Sequence, residues 1–159
     1  MTYKEALQKR KFETALARPF VLLGRLFSGL LVPKSKHRLF IFSPSADIGG
    51  SIMNNADLAR LFVDMKPIVI FSKYPKNNQF RHLFDTPGVV TWDLHKLIDN
   101  KAYHFINLFY RGVISKWINR SENAVVIGGE SLYFHKVFPW LKQEVKTIEL
   151  CHLDTWFNY

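Results

Sequence analysis

The sequence predicts an α/β fold: a parallel sheet of about five strands with flanking helices, preceded by an N-terminal amphipathic helical arm. Three observations carry that expectation. From Leu39 onward, short apolar runs alternate with helical stretches, which is the pattern of β-α-β units. The runs are nearly continuous in apolar residues rather than alternating with polar ones, as strands covered on both faces should be. The first 38 residues differ from the rest in charge, holding nine Lys and Arg against two Glu, a net +7 of the chain's +9.

A length of 159 residues, 48% hydrophobic and 15% aromatic, is enough for one domain with a real core and too little for two full-sized ones. Widespread disorder is excluded on the same ground. The single Cys151 rules out an intrachain disulfide and a multi-cysteine zinc site, and fits a reducing cytoplasm.

In the arm, Thr2 to Ala17 is helix-forming throughout, and Pro19 is expected to open a second helix reaching Leu31, with Arg18 as the joint. In that second helix Phe20, Leu23, Phe27 and Leu30 share one face, while Arg25 and Ser28 lie off it. Its apolar stretch, Phe20 to Val32, falls short of the roughly 20 residues that span a bilayer. The long charged lead and the lack of a small-residue cleavage site argue against a signal peptide. The basic run Lys34 to Arg38 then delivers the chain to a second unit, so the expected division is an arm over residues 1–38 and an α/β domain over residues 39–159. A basic amphipathic arm on a nearly neutral domain suits an anionic membrane surface.

The expected strands are Leu39 to Ser43, Pro67 to Phe71, Val89 to Trp92, Ala124 to Ile127 and Thr147 to Cys151. Asn54 to Met65 reads as a helix with one apolar side. Ala102 to Ile118 is the strongest helix, with Phe105, Phe109, Val113 and Trp117 repeating every four residues. Glu130 to Lys142 reads as a further helix that Pro139 should shorten or kink. Lys73 to Gly88 reads as a long loop with one helical turn near Phe80 to Phe84.

Ligands of such sheets bind at the carboxyl ends of the strands. Three ends stand out. After the first strand, Gly49, Gly50 and Ser51 lead into a helix, where paired glycines admit close backbone approach and helix-start amides suit a phosphate. Plain turn chemistry explains the same residues. After the fourth strand come Gly128, Gly129, Glu130 and Ser131, with Glu130 placed either to face a substrate hydroxyl or to favour the first turn of its own helix. After the fifth, His152 could act as a base or bind an anion and Asp154 could orient it, or the histidine simply ends the strand. His82, His95 and His104 lack the spacing of metal ligands, so no metal site is expected. Trp92, Trp117, Trp140 and Trp156 read as core or interface aromatics.

With these three strand ends in place, residues 39 to 159 resemble the Rossmann-like N-terminal half of GT-B glycosyltransferases, especially the family 4 group. The resemblance implies two facing Rossmann-like halves, the N-terminal one binding the acceptor and the C-terminal one holding the nucleotide-sugar. It implies that Gly49, Gly50 and Ser51 bind the donor diphosphate, that Gly128, Gly129 and Ser131 contact the acceptor, and that Glu130, His152 and Asp154 are the catalytic candidates. It further implies a nucleotide-sugar as co-substrate with no metal or other cofactor, and a lipid-linked or cell-envelope glycan as acceptor. Where an acidic residue often follows the first-loop glycines in that family, this chain has Ser51-Ile-Met. The family's C-terminal half does not occur within the 159 residues, so the chain alone is expected to be inactive. The expected setting is cytoplasmic, peripheral to the inner face of the membrane.

Other classes are weighed against this one. A non-catalytic α/β module docked to a membrane or protein partner would bind neither nucleotide-sugar nor glycan. A nucleic-acid partner is not expected, because the basic residues form an arm rather than a groove with interleaved aromatics. The arm could also belong to the fold as packing helices.

Overall fold

The computed structural model describes residues 3–32, 36–99 and 104–150. The elements in chain order are α1 (Tyr3–Leu31), β1 (Leu39–Ser43), α2 (Gly50–Leu61), β2 (Ile68–Phe71), β3 (Val90–Trp92), α3 (His95–Ile98), α4 (His104–Arg120), β4 (Val125–Gly129), α5 (Leu132–Val137) and β5 (Lys146–Leu150). The five strands form one all-parallel sheet in the order β3-β2-β1-β4-β5. The chain starts in the middle, winds to one edge, then returns to wind to the other. The two directions diverge between β1 and β4, which makes that junction the switch point where a crevice opens beyond the strand ends.

The expected α/β fold, Rossmann-like with a parallel five-stranded sheet, flanking helices and an N-terminal helix, is therefore present. Strand periodicity divides its core. Phe40 and Phe42 of β1, Ile68 and Ile70 of β2 and Val126 of β4 face a layer built from α4 and α5, through Ile114, Trp117, Ile118, Phe134 and Val137. Leu39 and Ile41, Val69, Phe71 and Ile127 face the other way onto Ile52, Ala56 and Ala59 of α2. The central strands β1 and β2 are buried along their whole length, which is why they read as continuous apolar runs. The fifth strand departs from that expectation, since Lys146 to Glu149 are exposed and β5 lies at the edge of the sheet. Trp117 packs edge-on against Phe40 and Trp92, as core aromatics should.

The expectation of two helices jointed at Arg18 is overturned, because α1 is one helix of 29 residues that runs through Pro19. Proline removes one backbone hydrogen bond from a helix interior. Here Ala17 and Val21, on either side of it, are both buried, and their packing holds the helix together across the lost bond. The face that packs is also not the large apolar one. Ala17, Val21, Gly24 and Ser28 turn inward, whereas Leu26 and Leu30 are about 80% exposed and Phe12, Leu16 and Leu22 are also open. Small residues win the contact because they let two backbones meet. A side chain on Gly24 would stand 2.9 Å from the Phe109 carbonyl carbon, and one on Gly112 of α4 would stand 2.8 Å from that of Val21. The Ser28 hydroxyl donates to Val113 O at 2.7 Å, and Arg25 donates to Trp140 O at 2.9 Å with its guanidinium over the Trp140 ring. Continuity also lengthens the apolar segment: Phe12–Leu31 is long and apolar enough to cross a membrane, a property that core helices and signal sequences share.

Two other boundaries shift. The helix α2 begins at Gly50, four residues before the expected Asn54, and ends at Leu61, with Val63–Met65 as a separate tight turn. The helix expected from Glu130 starts only at Leu132, because Glu130 has a left-handed φ of 55° that no helix interior allows. It ends at Val137, and Pro139 lies in the tight turn Phe138–Trp140. The short α3 fell in a segment given no element by the sequence.

Candidate functional site

Three strand ends meet beyond the switch point, and buried polar groups tie them together. The Ser72 amide donates to Ser43 O at 3.1 Å and to Pro44 O at 3.0 Å. The Ser72 hydroxyl also lies 3.0 Å from that of Ser131, linking the ends of β2 and β4. Asn55 of α2 is fully buried and donates through Nδ2 to the Ser43 hydroxyl at 3.3 Å, while its Oδ1 has no partner. A side chain on Gly129 would stand 2.7 Å from the Asn55 amide carbon, so only glycine lets α2 reach β4 here. Gly128 is held by a different neighbour, since a side chain there would strike the Phe134 ring of α5 at 2.5 Å.

The loop residues expected after β1 have another character. Gly49 has a φ of 173°, extended backbone that any residue adopts, and a side chain on Gly50 would meet nothing within 4 Å. Neither packing nor backbone conformation demands these two glycines. What they leave is open space at the start of a 12-residue helix, where Gly50 and Ser51 carry first-turn amides that have no intrahelical acceptor. The helix has no side-chain cap.

The residues expected at the fourth strand divide. Gly128, Gly129 and Ser131 are buried, and their contacts lie inside the protein. Glu130 is half-buried. It precedes the Ser131 cap rather than occupying the expected place in the first turn of the helix. Its left-handed backbone costs about 1–2 kcal/mol, the kind of local strain that collects at functional sites. His152 and Asp154, together with Cys151 and Trp156, lie outside the described residues. No cluster of three His, Cys, Asp or Glu side chains suited to a metal occurs among the described residues.

Two small clefts open on this side of the sheet. One, of about 190 Å³, is bounded by Ser72, Lys73, Asn107, Leu132, Tyr133 and Lys136. Burial lowers the Lys136 ammonium, with Arg111 adding to the effect, and burial raises the Tyr133 hydroxyl so that it stays protonated. The other, of about 150 Å³, lies beyond β1, β2 and β3 and includes Ser45, Lys73, Arg81, Asp93, His95 and Lys96. Its rim is fixed by Asp47, whose carboxylate accepts the amides of Lys76, Asn77 and Asn78 at 2.9–3.0 Å and the Ser45 hydroxyl at 2.9 Å. A larger apolar groove of about 720 Å³ runs between α2 and Leu150. Its polar lining residues are Asn54 and the Asp57–Arg60 ion pair on the exposed side of α2, away from the polar groups that join the strand ends.

Apart from His95, considered only as a metal ligand, these cleft residues escaped the sequence reading. Ser72 and Lys73 follow β2, and Asp93, His95 and Lys96 follow β3, the two strand ends it passed over, while Arg81 meets Asp93 only through the fold. Comparison with protein-family models, curated proteins and solved structures finds no match.

Proposed function

We propose that this chain supplies the acceptor-side half of a GT-B, family 4-like glycosyltransferase, one that passes a sugar from a nucleotide-sugar to a lipid-linked or cell-envelope glycan. The observation that carries the reading is the open start of α2: two adjacent glycines that the protein's own packing does not require, beside uncapped helix amides at the switch point. Amides and a helix dipole stabilise a departing diphosphate, the task a metal ion performs elsewhere. The roles follow the strand ends. Gly49, Gly50 and Ser51 would approach the donor diphosphate, Glu130 would face the reacting hydroxyl, and the polar clefts after β2 and β3 would receive the acceptor. A second Rossmann-like unit is required to hold the donor nucleotide.

The exposed apolar face of α1 supports a membrane acceptor. Phe12, Leu16, Leu26 and Leu30 are open to solvent on a helix whose N-terminal part is rich in Lys and Arg. Such helices lie in the membrane interface, and each basic residue near an anionic leaflet adds about 1 kcal/mol.

The test is the reading frame downstream of Tyr159, followed by a transfer assay on its full product with a labelled nucleotide-sugar and a membrane lipid extract. A second Rossmann-like unit, with transfer lost in Gly50→Val, supports the reading. A frame without such a unit, or undiminished transfer by Gly50→Val, refutes it.

A further inference from the structure

We infer that the cleft at the carboxyl ends of β1, β2 and β3 is an oxyanion subsite that takes one phosphate-class group, with Lys73, Lys96 and the His95 imidazole as its donors. The cleft is one of the two that the transfer reading gives to the acceptor, but the inference does not depend on that reading. It rests on charge, an imidazole in the lining, a fixed rim and size.

Three cations and one carboxylate line the cleft. Arg81 and Asp93 neutralise one another: Arg81 donates to Asp93 at 2.7 Å and to the Thr91 hydroxyl at 2.7 Å, and its guanidinium sits over the Phe71 ring. Among the described residues neither Lys73 nor Lys96 has an ion-pair partner, so two positive charges remain uncompensated. Two further carboxylates stand nearby, and both are turned to the rim. Asp47 is taken by the amides of residues 76–78, and Asp99 accepts the Tyr74 amide at 2.8 Å. The loop over the cleft is thereby held at two points.

His95 is the second observation. It is 7% exposed, packs edge-on against Tyr74 with ring centroids 4.8 Å apart, and its Nδ1 has no hydrogen bond. Burial lowers its basicity and so favours the neutral ring, which carries one N–H. The volume of about 150 Å³ is below the roughly 300 Å³ at which whole-ligand pockets begin. The cleft therefore takes a single charged group, either the free ion or a group carried on a larger molecule.

Amide-shift titration of the full chain tests this with inorganic phosphate, glucose 6-phosphate and glucose, at constant ionic strength. Saturable shifts confined to residues 72–81 and 93–97 are expected with at least one phosphate and none with glucose. Saturation by inorganic phosphate would identify the free ion as a ligand, and saturation by the ester alone a phosphorylated molecule. Lys73 and Lys96 are exposed, so Lys73→Gln and Lys96→Gln keep the fold, and each should weaken binding about tenfold, the effect of one charge-assisted hydrogen bond. His95→Phe keeps a ring against Tyr74 and should weaken it several-fold; if that variant unfolds, the lysine variants carry the test. Saturation by glucose, the absence of saturation, or saturation at Gly49–Ser51 that ignores both lysine variants would overturn the inference. The last result would leave the transfer reading intact.

Discussion

Gly24→Ala sets two opposed effects against each other, and the structure decides between them. Alanine is favoured over glycine in a helix by about 1 kcal/mol. Against that gain, a methyl group on Gly24 would stand 2.9 Å from the Phe109 carbonyl carbon and 3.1 Å from the Val113 nitrogen. Both obstacles are backbone atoms of α4, which cannot rotate aside, so α1 and α4 must part. Overpacking of this kind costs about 1–3 kcal/mol, and an unyielding obstacle puts it at the upper end. Separation also stretches the 2.7 Å bond from Ser28 to Val113 O, worth about 1 kcal/mol. The net expectation is a loss of about 2–3 kcal/mol, or a melting point lower by roughly 4–12 °C for a chain of this size. Gly29→Ala is the matched control, since a side chain there meets nothing within 4 Å. It should keep the propensity gain and raise stability by up to about 1 kcal/mol. Thermal and urea unfolding by circular dichroism reads both variants. Equal stabilisation by the two would refute the close approach of α1 to α4.

Two further outcomes are expected. Asp47→Ala should cost about 1–3 kcal/mol at pH 7, less than four buried bonds would, because the three loop amides it frees are exposed and regain water. Burial pushes the Asp47 carboxyl up, but the amides of Asn77, Lys76 and Asn78 and the Ser45 hydroxyl outweigh it and hold the group well below the usual carboxylate range. A depressed folded value means stability present above the unfolded pKa of about 4 and lost as pH falls below it. The gap between wild type and variant, read as urea midpoints from pH 7 to pH 2, should therefore hold to about pH 5 and then narrow; a gap unchanged at pH 2 would contradict the assignment. Leu26→Ser with Leu30→Ser should leave the melting point nearly unchanged, because both side chains are already in water. The pair should reduce flotation with anionic liposomes, and flotation equal to wild type would remove α1 as the membrane contact.

The sheet was legible because β1, β2 and β4 bury both faces, which leaves no room for polar residues in their sequences. The helical arm was legible as a helix and misleading as to its face. Local amphipathicity singles out Phe20, Leu23 and Leu30, yet α4 selects the smallest side chains, and nothing within the arm's own sequence reveals the matching Gly112. The same limit governs the site. Glycines after β1 and at the end of β4 show up from their neighbours, whereas Asn55 against Gly129 and Arg81 against Asp93 are meetings that only the folded chain arranges. Glu130 drew notice as an acidic residue at a strand end, but its left-handed backbone is a property of the turn.

The unbroken run of α1 through Pro19, clamped to α4 on its small-residue side, bears on how the protein would work at a surface. A flexible leash limits only how far a domain can wander and leaves it free to swivel. A helix locked to the body behaves as a bracket. Whatever grips the outer side of α1 then sets the tilt of the whole sheet, so the height and heading of the strand-end crevice are decided on landing rather than by a later search.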